Sequence, residues 1–336
     1  MTPLRRRDTT LALTIALVVA VAIAFTVGGM VDTGHDAGQR VRDGRDHSEA
    51  TPDSLPVQVP VLCYHYLRGK SDPIRLVRVF GYVVLSLPLL DDSELWTTSA
   101  RGFERQMEYL VARGYHAITL DELNEWQMGL RDLPANPVVI TFDDADESVY
   151  EYAFPVLRRL ALRATMFVVT ARVGTRWGEV RCLDWERLRA MQQSGVFDIQ
   201  SHTHDLHYKV NEGAAAQPVF LAASEQGEPV GGVTNWEELV RDDLSQSRAA
   251  IQTHIGRTPA YLAWPYGFGN PRVDRVAAEV GYTRTCSLRA GSNPLLGFTP
   301  VTSDTDAFEI ARYTITARTS LRVFRQMIAG TYTPGV

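Results

Sequence analysis

Pro137-Val138-Val139-Ile140-Thr141-Phe142-Asp143-Asp144 is an apolar run that ends in two adjacent acids. A short apolar stretch rich in β-branched residues reads as a buried strand. It delivers two carboxylates to one point at its C-terminal end. Further along, Phe197-Asp198-Ile199-Gln200 is a second strand-like run, and it leads into Ser201-His202-Thr203-His204-Asp205-Leu206-His207. Two acids and a histidine cluster, each at a strand end, are the makings of a metal site with a general base beside it. That combination points to a metal-dependent hydrolase.

Outward from these two strands the chain alternates. Strand patterns fall at 57–64, 115–118, 138–142, 164–169, 196–200, 261–264 and 282–287. Helical patterns fall at 103–110, 120–128, 149–160, 185–194, 236–254 and 271–280, several closed by a glycine such as Gly195, Gly256 or Gly281. Regular βα alternation implies an α/β fold with a parallel sheet covered by helices. With this many units a distorted, closed or nearly closed (β/α) barrel of about seven strands is expected. Such barrels carry their active sites at the C-terminal strand ends, where the acids and the histidines both fall.

The rest of the sequence frames the domain. The formal charge of −5 over 336 residues leaves no basic surplus for neutralising phosphates, so nucleic-acid binding is not expected. Cys63, Cys182 and Cys286 are widely spaced, form no CxxC pattern and read as buried small hydrophobes. Arg5-Arg6-Arg7 precedes an uncharged stretch, 11–31, that at ~20 residues is long enough to cross a membrane as a helix. The arginines favour a cytoplasmic tail at 1–10 and an exported remainder. Gly28-Gly29-Met30 is a poor cleavage site, so a single-pass anchor is expected rather than a removed signal, whose cleavage would make the protein secreted. Residues 32–56 read as a flexible linker and 57–336 as the catalytic domain. An apolar insertion at 75–90 reads as an extra strand pair, or as a loop dipping into the membrane near the anchor. Residues 208–235 read as a rim loop.

Each candidate residue has a plainer reading to beat. A helix N-cap explains one of Asp143 and Asp144, but not both. The chemical reading divides the labour: one carboxylate binds a divalent cation and the other takes a proton from water. A lone histidine is ordinarily structural, whereas His202, His204 and His207 together imply at least one metal ligand. One Asp and two His leave positions open for water and substrate, which suits zinc, with cobalt, nickel or iron as substitutes. His204 either shares the face of His202 or points away from it. Trp264-Pro265-Tyr266-Gly267, directly after a strand, reads as a simple Pro/Gly turn or as a rigid loop whose backbone N–H faces the site as an oxyanion donor. Cys63-Tyr64-His65 ends the first strand, and His65 is either structural or a general acid. A glycosidase fits poorly, because its two carboxyls must flank a bond at ~5 Å or more.

Thr141-Phe142-Asp143-Asp144, Ser201-His202-Thr203 and Trp264-Pro265-Tyr266-Gly267 resemble the polysaccharide deacetylases of carbohydrate esterase family 4, the NodB-homology domain. The five-residue spacing of His202 and His207, and the position of Cys63-Tyr64-His65 at the domain's start, resemble the circularly permuted poly-β-1,6-N-acetylglucosamine (intercellular adhesin) deacetylase branch. The segment 149–157 is also similar to that branch's helix after the acid pair. The resemblance implies Asp143 as general base and Asp144, His202 and His207 as metal ligands. It further implies the Tyr266 backbone N–H as oxyanion donor and His65 as general acid. The implied substrate is an N-acetylated polysaccharide; the N-terminal stretch 11–31 makes the membrane the other expected partner, and no protein partner is inferable. Three departures stand out. The family's glycine after the acid pair is Ala145, its arginine before the Trp-Pro-Tyr motif is Ala263, and its C-terminal Leu-x-His motif is absent, the last histidine being His254. Deacetylation of peptidoglycan or chitin-like oligomers is the alternative activity, and a non-catalytic glycan-binding protein the alternative class.

Overall fold

Nine short strands form the main sheet: β1 (Val61–Tyr64), β2 (His116–Ala117), β3 (Pro137–Phe142), β4 (Ala164–Val168), β5 (Phe197–Ser201), β6 (Tyr261–Ala263), β7 (Arg284–Ser287), β8 (Ile310–Ala311) and β9 (Tyr313–Thr314). The structure is a computed structural model that describes residues 57–69, 96–178, 180–212, 215–221, 235–288, 300–308 and 310–330. The expected anchor at 11–31, the linker at 32–56 and the insertion at 75–90 lie outside the described residues. Among the described residues no helix is long and apolar enough to cross a membrane.

The strand order is β8-β7-β6-β5-β4-β3-β1-β9, with β2 added on β3, and all these pairings are parallel. β8 and β9 stand at opposite ends of this path, yet only Arg312 separates them in sequence. One segment therefore pairs with β7 through its first half and with β1 through its second. That nearly closes the sheet into a barrel of eight strands, against about seven expected, because the closing segment counts twice.

Strand parity decides what the barrel holds. On β3, Val138, Ile140 and Phe142 pack outward with Leu62 and Tyr64 of β1, Met166 of β4 and Phe103 and Met107 of the helical layer. Val139 packs inward with Val61, Phe167, Tyr261 and Cys286. Side chains alternate along a strand, so the residues in step with Val61 and Val139 also point inward, Cys63 on one strand and Thr141 on the other; His65 and Asp143, just past the strand ends, lie close to Cys63. A register slip of one residue would turn the inward residues outward and expose the apolar face.

The helices are α1 (Ala100–Ala112), α2 (Leu120–Gln127), α3 (Phe154–Arg159), α4 (Trp185–Gln193), α5 (Trp236–Ile255), α6 (Pro271–Val280) and α7 (Leu321–Ile328). Their starts are capped by Ser99, Thr119, Asp184, Asn235, Asn270 and Ser320, whose side chains accept backbone N–H bonds in the first turn; α3 is the exception. The expected helix over 149–160 is in fact two pieces. Val149–Ala153 forms a wide π turn, in which the Phe154 N–H bonds the Val149 carbonyl, and α3 follows. Pro155 removes the donor that would continue an α-helix there, so the chain shifts to the longer bond. Within the expected rim loop 208–235, Lys209–Glu212 and Ala215–Pro218 pair as an antiparallel hairpin, and Phe220 stacks on Trp264. All three cysteines are buried and free, as expected.

Candidate active site

The acid pair leaves β3 through an unusual backbone. The Asp143 N–H donates to the Tyr64 carbonyl at 3.0 Å, the last bond of the β1–β3 ladder. Asp144 and Ala145 then both adopt positive φ, 68° and 54°. This region strains residues bearing a Cβ and costs about 1–3 kcal/mol each. It explains why a glycine would suit position 145. The strain turns two consecutive carboxylates toward one pocket, where a regular strand would send them to opposite faces.

Asp143 is 1% exposed and is clamped by Arg312, which is wholly buried. Arg312 donates from Nη1 to Oδ1 at 2.7 Å and from Nη2 to Oδ2 at 2.8 Å. Burial alone would raise the Asp143 pKa, but the guanidinium overrides it, and His202 helps, so the carboxyl lies well below the usual range. Arg312 comes from the segment that closes the barrel. It meets the demand created by Ala263, where the family has arginine. The signal was present in the sequence as an arginine inside the apolar run Ile310-Ala311-Arg312-Tyr313-Thr314-Ile315. A cation in such a run needs a buried acid.

Asp144 is held differently. Its Oδ2 accepts the Tyr66 hydroxyl at 2.6 Å, while its Oδ1 is buried with no hydrogen-bond partner. That oxygen lies 3.7 Å from His202 Nε2 and 3.5 Å from His207 Nε2. His202 bonds the Ala263 carbonyl through Nδ1 at 2.7 Å. A carbonyl only accepts, so Nδ1 carries the proton and Nε2 presents a lone pair. Burial pushes both imidazoles down to about 4, which keeps them neutral near pH 7. An unbonded carboxylate oxygen and two imidazole Nε2 atoms thus converge, that of His202 presenting its lone pair, and a cation suits that arrangement. A tetrahedral zinc site with bonds of ~2.1 Å separates its ligand atoms by ~3.4 Å. The residues fit a divalent metal.

The histidine loop is pinned from outside the barrel. Thr203 takes a positive φ of 73°. The Asp243 carboxylate of α5 accepts the His204 and Asp205 N–H groups, each at 2.7 Å. His204 Nδ1 bonds Thr170 Oγ1 at 2.9 Å, so this histidine stands apart from the other two. His207 packs against Trp177 and Tyr266, with ring centroids at 4.6 Å and 4.5 Å. Tyr266 has φ 61°, and the next residue must be glycine. A Cβ on Gly267 would fall 2.2 Å from Leu288 Cβ. A tight turn is therefore present here, beside His207.

His65 is also brought in. It is 8% exposed and packs against Trp96 in a tilted ring pair, centroids 4.8 Å apart. Ligand atoms of Cys63, His65 and Asp143 all lie within 4.8 Å of one another. Every residue singled out from the sequence except His204 therefore meets at one end of the barrel. Arg312, Tyr66, Asp243 and Trp177 were not foreseen.

Paired acids and two histidines at the C-terminal strand ends of a nearly closed parallel barrel match the NodB fold, with a candidate Asp-His-His metal site. Residues 131–285 match the family model for polysaccharide deacetylase. That span contains Asp143, Asp144, His202, His207 and Tyr266, but neither His65 nor Arg312. The chain is similar to the poly-β-1,6-N-acetyl-D-glucosamine N-deacetylase of Staphylococcus epidermidis, 27% identical over 252 residues that make up 75% of this chain and 76% of the relative. Its likeness to the Staphylococcus aureus protein of the same name is 26% over 193 residues, 56% of this chain and 61% of that one. Among solved structures it is similar to IcaB from Ammonifex degensii, with 28% identity, a TM-score of 0.62, and coverage of 82% of this chain and 97% of the other. Residues 131–285 form a polysaccharide deacetylase domain of the NodB type (carbohydrate esterase family 4), and the chain that carries it is similar to polysaccharide N-deacetylases.

Proposed function

We propose that this enzyme removes N-acetyl groups from an extracellular amino-sugar polysaccharide, poly-β-1,6-N-acetylglucosamine, by metal-dependent hydrolysis that releases acetate. One observation carries the reading: the two adjacent carboxylates have separate partners. Asp144 turns an unbonded oxygen toward His202 and His207, whereas Asp143 is clamped by Arg312. Asp144, His202 and His207 would hold a divalent cation, with zinc suiting the donor set best. When bound, that ion acidifies water and polarises the acetamide carbonyl.

Asp143 takes the proton from the attacking water. Arg312 keeps it ionised and fixes its orientation. The Tyr266 backbone N–H donates to the oxygen on which negative charge develops. His65 gives a proton to the departing sugar amine. Burial lowers the His65 pKa while Asp143 and Asp144 act to raise it, and its place beside Asp143 gives the abstracted proton a short way back to the amine. The substrate rests on the activity for which the staphylococcal relatives are named, to which this chain is similar. The arginine-flanked stretch 11–31 supports a single-pass membrane anchor with the enzyme outside the cell.

Acetate release from a panel of poly-β-1,6-N-acetylglucosamine, chitin oligomers and peptidoglycan tests the proposal. Preference for the β-1,6 polymer is expected. Faster release from either alternative moves the substrate there, and release from none of them removes the proposal.

A further inference from the structure

A cavity of ≈ 340 Å³ lies beside the candidate active site, where the chain continues past β1 and β9. Two helices begin on it. Ser99 caps α1 and Ser320 caps α7, and both serines line the cavity. Neither helix has an acid in its first turn. Helix starts carry partial positive charge and N–H groups without intrahelical acceptors, so two of them on one cavity favour an anion. Among its described lining residues there is no Asp or Glu, although the chain is net acidic.

Two side chains add an independent pointer. Gln106 lines the cavity and is only 2% exposed. Its Oε1 accepts the Tyr64 hydroxyl at 2.9 Å. Tyr64 is wholly buried, so its phenolic proton needs that acceptor, and the amide cannot turn around. The Gln106 NH₂ group is therefore held as a donor with no acceptor among the described residues. Arg105, the next residue back, also lines the cavity and has no carboxylate partner among them. Arg68 lines it too, but is already paired with Asp146 at 2.9 Å.

We infer that this cavity is a binding site for a phosphate-class oxyanion, held by the two helix starts, the Gln106 amide and Arg105. Its chemistry is separate from that of Asp144, His202 and His207, and it does not depend on the proposed substrate. The oxyanion belongs either to free phosphate or to a phosphodiester such as a lipid headgroup.

Calorimetric titration of the full chain tests this. The protein is first stripped by chelator, so that no metal ion at Asp144 offers phosphate a second place to bind. Inorganic phosphate should bind saturably at one site per chain. Ser320→Asp should weaken that binding about tenfold or more by placing a negative charge in the cavity. Asp is itself a favoured N-cap, so this variant should unfold at the parent's midpoint or above in phosphate-free buffer. Arg105→Glu should weaken binding similarly. Glycerophosphoglycerol forms the second arm: tighter binding than phosphate assigns the site to lipid-type diesters, and weaker binding to free phosphate. Absence of saturable heat, or equal affinity in the parent and a folded Ser320→Asp variant, overturns the inference. So does phosphate binding that appears only when metal is restored.

Discussion

Replacing Arg312 by Met tests the internal logic of the site. The substitution keeps much of the volume and removes the cation, leaving the Asp143 carboxylate buried opposite nothing that neutralises it. Breaking a fully buried pair from one side costs about 3–5 kcal/mol. For a domain of this size each kcal/mol moves the melting midpoint ~2–4 °C, so a fall of roughly 6–20 °C is expected. The pH dependence has a definite sign. In the parent, Arg312 depresses the Asp143 pKa, so the pair's stabilisation is present above the ordinary carboxyl range and is lost only in strong acid. In the variant burial acts unopposed by the guanidinium and raises that pKa. The folded variant then takes up a proton, and its deficit should be larger at pH 8 than at pH 5. Asp144, His202 and His207 are untouched, so metal content should stay at the parent's level while turnover falls by about 10²-fold or more. The assays are urea unfolding at both pH values, elemental analysis and acetate release. A loss under ~1 kcal/mol that is equal at both pH values, with turnover kept, would refute the view that Arg312 holds the base.

Three further outcomes follow from the same geometry. Asp143→Asn should keep its metal and lose about 10²–10⁴-fold in turnover, whereas His202→Ala should lose the metal itself; equal metal loss in both would cancel the division of roles. His65→Ala should bind metal normally yet release acetate slowly, with an altered alkaline limb in its pH–rate profile, and an unchanged profile would send the search for the acid elsewhere. Asp243 touches no proposed ligand, but Asp243→Asn leaves one of the His204 and Asp205 N–H groups without an acceptor, at about 1–3 kcal/mol; metal affinity should fall through a loosened histidine loop, and undiminished affinity would show that the loop is pinned without it.

The strand-end motifs were legible because they are local. A strand's apolar run and the residues that follow it can be read directly, and alternation then dictates which residues enter the barrel. Asp143, Asp144, His202, His207 and His65 were legible because they lie in the segments that directly follow such runs. Arg312 was not, because its partner lies far away in sequence and its own strand is two residues long on either side. Tyr66 escaped for a related reason. The ladder ends at Tyr64, and after that break alternation no longer says where a side chain points. The π turn at 149–153 shows the limit of periodicity, since Pro155 leaves an apolar helical pattern intact while removing the bond that makes it an α-helix.

The central claim is that a cation at Asp144, His202 and His207 makes this chain a deacetylase. The most direct measurement is acetate release by one preparation in three states: as purified, stripped by chelator to metal-free by elemental analysis, and reloaded with zinc. Activity should vanish in the second state and return in the third. Undiminished turnover by the verified metal-free protein would contradict the account.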